Sequence, residues 1–208
     1  MIKYGAASLG LALIASAGIA QADGNGGDAS SGWYVGIAAG YQLVTDIDKK
    51  DAEGDTVSIE LDEGFTGRIT AGYDYGLLRT DFRLSLAAHD LDKVGSGQEA
   101  FTGDGLFGTA TINLGAEWEN DSDFTPFVDF GLGAAAVEGE VTSNTGSRDR
   151  EAAAAPLARL GLGVAYQITD GVAVTGDYDF GYVFAEPMDS DVDNFMTHGV
   201  NLGLRFSF

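Results

Sequence analysis

The sequence predicts an all-β fold, an eight-stranded antiparallel up-and-down transmembrane β-barrel. Three observations predict it. Hydrophobicity alternates residue by residue in eight separate segments. The connections between those segments are alternately short and long. The 208 residues include 31 Gly and 3 Pro and are 45% hydrophobic, which argues against both disorder and long helices; Gly costs a helix ~1 kcal/mol per position relative to Ala.

The chain begins with an address. Lys3 supplies a positive start, Ala6 to Ala20 form an apolar run, and Ala20-Gln21-Ala22 has the small-x-small form of a cleavage site. Residues 1–22 therefore read as a secretory signal peptide. The run is too short for a membrane-spanning helix, which needs ~20 predominantly apolar residues. Residues 23–31 read as a short periplasmic segment and residues 32–208 as the barrel. Removing the leader leaves 186 residues with 10 basic and 32 acidic side chains. No other apolar run is long enough to span as a helix, so membrane residence requires a closed barrel, which satisfies every backbone N–H and C=O in lipid.

The first strand sets Trp33, Val35, Ile37, Ala39, Tyr41 and Leu43 against Tyr34, Gly36, Ala38, Gly40 and Gln42. The second opposes Phe65, Ile69, Ala71 and Tyr73 to Thr66, Arg68, Thr70, Gly72 and Asp74. The third opposes Leu78, Thr80, Phe82, Leu84 and Leu86 to Arg79, Asp81, Arg83, Ser85 and His89, and the fourth Leu106, Ile112, Leu114 and Trp118 to Thr109, Thr111, Asn113, Gly115 and Glu117. In the fifth, Val128, Phe130 and Leu132 face away from Phe127, Asp129, Gly131 and Gly133. The sixth separates Leu160, Leu162, Val164, Tyr166 and Ile168 from Arg159, Gly161, Gly163 and Gln167. The seventh separates Val172, Val174, Tyr178, Phe180, Tyr182 and Phe184 from Thr175, Asp177, Asp179 and Gly181. The eighth separates His198, Val200, Leu202, Leu204, Phe206 and Phe208 from Asn201, Gly203 and Arg205. Short connections fall at residues 75–77, 119–123 and 169–171, where Asp170-Gly171 is a hairpin signal. Long ones cover about residues 44–63, 89–105, 138–155 and 185–197. Short turns at one end and long loops at the other place both termini on the periplasmic side of a bacterial outer membrane.

The polar face tells a membrane barrel from a soluble one. It carries no Lys; the three mature lysines, Lys49, Lys50 and Lys93, lie in the first two long loops. It holds eleven Gly, five Arg and six acids, nearly neutral, as a confined lumen requires. Aromatic residues gather at both ends of the apolar face: Trp33, Tyr73, Trp118, Tyr166 and Phe206 at one, Tyr41, Phe65, Tyr182 and Phe184 at the other.

The segment pattern and the ending Val200-Asn201-Leu202-Gly203-Leu204-Arg205-Phe206-Ser207-Phe208 make the chain similar to the small outer-membrane β-barrel family: the OmpA transmembrane domain, OmpX and the opacity-type surface proteins. The resemblance spans residues 32–208. It implies that Phe206 and Phe208 form the signal read by the barrel assembly machinery. The peptidoglycan-binding domain of OmpA is not carried over.

Nine luminal charges are the candidate site: Arg68, Arg79, Asp81, Arg83, Asp129, Arg159, Asp177, Asp179 and Arg205. They read as an ionic plug; the competing reading is a selectivity constriction. Some family members modify lipid A with a Ser, a His and an acid. Here Thr197-His198-Gly199 lacks the His-x-Ser pair of the deacylases. Ser85 and His89 stand roughly 13 Å apart along one strand at ~3.3 Å per residue. Both histidines read as rim residues beside charged loops. Asp189, Asp191 and Asp193 have calcium-loop spacing, but Asn194 and Val200 occupy the positions where an EF-hand needs Gly and Glu, leaving a weak metal candidate. Pro126 and Pro156 read as strand starts, with a lateral gap for apolar solutes as the alternative.

The expectation is a non-enzymatic, monomeric barrel without cofactor and with long acidic loops, acting in envelope structure or surface interaction. A narrow channel or lateral conduit is the second reading and lipid A enzymology the third. The four long loops hold 20 acids against Lys49, Lys50, Lys93, Arg148 and Arg150. Such a surface excludes nucleic acid as a partner and favours cations, including divalent ions bridging to lipopolysaccharide.

Overall fold

The computed structural model describes residues 31–45, 47–50, 56–61, 63–94, 103–118, 120–142, 148–185 and 193–208. The proposed leader, residues 1–22, and residues 23–30 lie outside the described residues. The strands are β1 (Gly32–Val44), β2 (Ile47–Lys50), β3 (Thr56–Leu61), β4 (Gly64–Asp74), β5 (Leu78–Val94), β6 (Gly103–Glu117), β7 (Phe124–Thr142), β8 (Arg148–Thr169), β9 (Val172–Val183) and β10 (Phe195–Ser207).

Eight of these close a barrel in which each strand pairs antiparallel with its chain neighbour, from β4 through β10, with β1 completing the circle. β1 lies between β4 and β10: Tyr34 faces Ser207 and Gly72, and Gly40 faces Asn201 and Thr66. Pairing the first strand with the last removes the sheet edges that would otherwise expose unpaired amides. β2 and β3 form a small hairpin, and β3 pairs with the upper end of β5.

The short connections are built as their residues require. Tyr75 N–H donates to Leu78 O at 2.8 Å, and Gly76, at φ 97°, supplies the left-handed residue of that turn. Asp74 caps it by accepting from Gly76 N–H at 2.8 Å, so this acid serves the turn rather than the luminal network. Between β6 and β7, the Asn120 side chain donates to Phe124 O at 2.8 Å and accepts from Ser122 N–H at 2.9 Å.

The long connections are shorter than the sequence suggests. β5 continues to Val94, β6 starts at Gly103, and β7 and β8 remain paired as far as Thr142 opposite Arg148. The alternation hides this because these upper stretches have small or mixed residues on both faces, as in Ala152 to Ala155. By contrast, pairing between β8 and β9 starts at Leu157 opposite Val183. The sheet therefore stands higher over β5–β8 than over β9, β10, β1 and β4.

Pro156 is thus not a strand start but lies inside β8, and Pro126 is the third residue of β7. The β7–β8 ladder runs unbroken through both, Pro126 facing Val164 and Pro156 facing Ala134. Their carbonyls show how each proline is accommodated. Pro126 O accepts from Trp118 just beyond the end of β6, and Pro156 O from Phe184 just beyond the end of β9. In an antiparallel strand the N–H of a residue points to the same side as its C=O, so each missing donor faces a neighbour that is ending.

Inside and outside follow the pleat. Ile112 and Leu202 are 71% and 67% exposed, whereas their chain neighbours Thr111 and Asn201 are 1% and 6%. The outward apolar band is far larger than a water-facing surface tolerates. Aromatic pairs stand at both ends of it. Trp33 meets Tyr73 edge-on at 5.3 Å and Phe124 meets Tyr166 at 4.9 Å at the end that carries the termini. Tyr41 meets Phe65 at 5.8 Å and Tyr182 meets Phe184 at 4.8 Å at the other.

Candidate functional site

The lumen has two zones. Toward the termini, the five arginines meet five acids on facing strands. Arg68 on β4 reaches across to Asp177 Oδ2 and Oδ1 at 2.7 and 2.5 Å and to Asp179 at 2.9 Å. Arg159 on β8 pairs with both Asp129 and Asp179. Asp129 on β7 is the hub: it also takes Arg79 at 3.1 Å and Arg83 at 3.4 Å, and it is 1% exposed. Arg83 touches Asp81 and Asp179 more loosely, at 3.8 and 3.7 Å.

All nine luminal charges read from the sequence lie in this one connected set. Glu117, a luminal acid outside those nine, joins Arg79 to Arg205. Tyr34, Asn113 and Asn201 complete it. Tyr34 Oη donates to Asp81 at 2.8 Å, Asn113 Nδ2 to Asp81 at 2.7 Å, and Asn201 Nδ2 to Asp177 and Asp179 at 3.1 and 3.0 Å. Arg79 also lies over the Phe127 ring at 4.3 Å. Their signal in the sequence is an inward position on an otherwise small-residue face.

Register explains why these side chains can lie crosswise. Arg79, Asp129 and Asp179 are separated along one row of pairs by Gly115 and Gly161. A Cβ at Gly161 would sit 2.6 Å from Arg159 Nη2 and from Asp129 Oδ1, and one at Gly115 would sit 2.9 Å from Arg79 Nε. The space left by these glycines is occupied by the neighbouring charged side chains.

Toward the long-connection end the lumen holds an apolar cluster, which the sequence does not predict, beside the buried polar residues Thr66, His89 and Thr197. Val44, Ala87, Phe107, Ala135, Leu157, Val183, Ala185 and Phe195 form one buried cluster, with the Phe107 and Phe195 rings 6.3 Å apart. Most of these positions fall in or beside stretches that read as loops. With apolar residues inside as well as outside, the alternation loses its contrast.

The histidines separate. His89 is buried inside the barrel, against Gly64, with Nε2 3.3 Å from Gln42 Oε1. His198 is on the outer face rather than beside a charged rim, its Nδ1 2.6 Å from Tyr178 Oη and its ring 5.4 Å from Phe180. Ser85 bonds Thr109 Oγ1 at 2.6 Å. Asp189 and Asp191 lie outside the described residues, and Asp193 is exposed. Phe206 and Phe208 lie on the outer face, and Phe208 N–H donates to Trp33 O at 2.9 Å.

The family of outer membrane protein beta-barrel domains matches residues 8–206. The chain belongs to this family. As an outer-membrane β-barrel it resides in the outer membrane of a Gram-negative bacterium. Its fold is similar to that of Neisserial surface protein A, at 21% identity and a TM-score of 0.56, covering 86% of this chain and 99% of that one. It is also similar to a major outer membrane protein from Thermus thermophilus, at 14% identity and a TM-score of 0.55, covering 86% and 100%. Ail, the attachment invasion locus protein of Yersinia pestis, solved with the heparin analogue sucrose octasulfate, matches at 15% identity and a TM-score of 0.50, covering 84% and 99%. No curated protein matches. At these identities the likeness to solved structures speaks for the fold.

Proposed function

We propose that this outer-membrane barrel is non-enzymatic, with a closed lumen, and acts in envelope structure or surface interaction through its long-connection end. The observation that carries the reading is the lumen itself. Five Arg neutralise five acids across its lower part, and a buried apolar layer fills its upper part. Eight strands enclose a space just wide enough for side chains to fill. The work is then left to the surface, where β5–β8 rise above the rest of the barrel.

Planar-bilayer recording tests this. The purified barrel should give little or no steady conductance. Stable ion-selective openings, abolished by exchanging luminal charges, would move the reading to a narrow channel. Against a role on lipid A, Ser85 is engaged by Thr109, His89 by Gln42 and His198 by Tyr178, whereas nucleophilic catalysis needs the hydroxyl on the base. Lipid A from cells with and without the gene should have the same mass spectrum.

The termini face the periplasm in this reading. The chain has no cysteine, so single introduced cysteines report sidedness cleanly. A membrane-impermeant maleimide should label Glu63→Cys and spare Asp170→Cys on intact cells. Partners follow from charge and from the last strand. Acidic loops repel polyanions such as the heparin analogue seen on Ail and favour divalent ions or basic proteins, and lipopolysaccharide would be met through such ions. Phe206 and Phe208 serve the assembly machinery, so deletion of Phe208 should leave the protein in the periplasm.

A further inference from the structure

The lower lumen contains a cavity of about 40 Å³, lined on one side by Gly36 and other small residues of β1, β4 and β9. The charged side chains around it are Arg68, Arg79, Arg83 and Arg205 with Asp81 and Asp177; four arginine side chains line it against two carboxylates, and Glu117, Asp129 and Asp179 balance the set from behind. Arg79 and Arg83 are 5% and 7% exposed. Arg79 Nε, Arg83 Nε and Arg83 Nη1 are buried and have no hydrogen-bond acceptor. For Arg83, the nearest carboxylate oxygens stand at 3.4 to 3.8 Å, too far to satisfy the whole guanidinium.

We propose that this cavity binds a small monovalent inorganic anion of chloride size. Buried donors left without an acceptor are costly, and more so when they carry charge. A halide accepts several N–H groups at once, from any direction, and so serves the guanidinium donors that the carboxylates do not reach. The other acids of the network are already committed: Asp129 to three arginines, Glu117 to Arg79 and Arg205, and Asp179 to Arg68, Arg83 and Arg159. The acidic loops cluster at the other end of the barrel, and salt screens exposed charges beyond about 8 Å at physiological strength. The space is ample for a water molecule or a halide.

The test uses the full barrel in zwitterionic detergent. Chloride-35 NMR should show line broadening in excess of empty micelles, reversed by bromide and unchanged by gluconate. Gly36→Val removes the space and keeps every charge. A Cβ at Gly36 meets only Leu204 O at 3.5 Å and Thr70 Cβ at 3.6 Å, so the barrel should accept it, and the excess broadening should be lost. Bromide-soaked crystals of the unmodified protein should show an anomalous peak between Arg79 and Arg83. That measurement decides the matter even where Gly36→Val fails to assemble. Ordered water with no anomalous signal, or broadening that persists undiminished in Gly36→Val, overturns the proposal.

Discussion

The two halves of the lumen are built on the same eight strands and differ only in what points inward. Below, ten charged side chains cross a glycine-lined space and meet each other; above, eight apolar side chains pack directly. Both project into the same small cross-section, yet they respond differently to loss of a part. An apolar layer loses contacts and leaves a cavity. An ionic layer loses a counter-charge and leaves buried charges unpaired. Closure of a narrow barrel can therefore rest on either chemistry, and the failure of one half need not resemble the failure of the other.

The largest effect should come from the hub. Asp129→Ala removes the carboxylate shared by Arg79, Arg83 and Arg159. Breaking a buried ion pair costs about 3–5 kcal/mol; Arg79 keeps Glu117 and Arg159 keeps Asp179, but Arg83 is left with carboxylates only at 3.7 and 3.8 Å. Urea unfolding of the folded barrel in detergent measures it. A cost no larger than that of a surface substitution would mean that water already fills the lower lumen.

Phe107→Ala takes a ring from the apolar half. A buried Phe→Ala change costs about 3–5 kcal/mol; the lower end is expected here because the neighbouring rim can relax. The sharper contrast is in salt. Raising ionic strength during unfolding should change the cost of Asp129→Ala and leave that of Phe107→Ala unaltered. Equal salt dependence would erase the distinction between the halves.

Two glycine substitutions compare the space between charges with the open outer face. Gly161→Ala forces a methyl against Arg159 and Asp129 and should cost about 1–3 kcal/mol as overpacking. Gly67→Ala, where a Cβ would meet nothing within 4 Å, should be neutral or stabilise by up to about 1 kcal/mol through the unfolded chain. A comparably small effect belongs to the tyrosine of the outer face. Tyr178→Phe deletes the bond to His198 and should cost about 1 kcal/mol. All three are read from the same urea midpoints.

Much of this is legible without coordinates. A period of two assigns each residue to a face, and an apolar face of aliphatic residues with aromatic ends, set against a face of Gly, Arg and Asp without Lys, allows only one arrangement in lipid. Strand number, antiparallel order and the luminal position of Arg68, Arg79, Arg83, Arg159 and Arg205 all follow from that. The pattern fails where both faces carry similar residues. That is why the upper parts of β5 to β8 read as loops, why Pro156 reads as a strand start, and why the apolar luminal cluster around Phe107, Leu157 and Val183 leaves no mark in the periodicity.

Partner choice needed the tertiary structure. The alternation placed His89 inside and His198 outside, but only the register of the closed barrel set His89 against Gln42 and His198 against Tyr178. The sequence determined which charges enter the lumen, because face membership depends on parity along one strand. Only the closed barrel decided that Asp129 would serve three arginines, that Glu117 would bridge Arg79 and Arg205, and that Gly161 would lie beneath Arg159. Those pairings join strands far apart in the chain, and they depend on stagger and on the diameter set by closure, which no local pattern encodes.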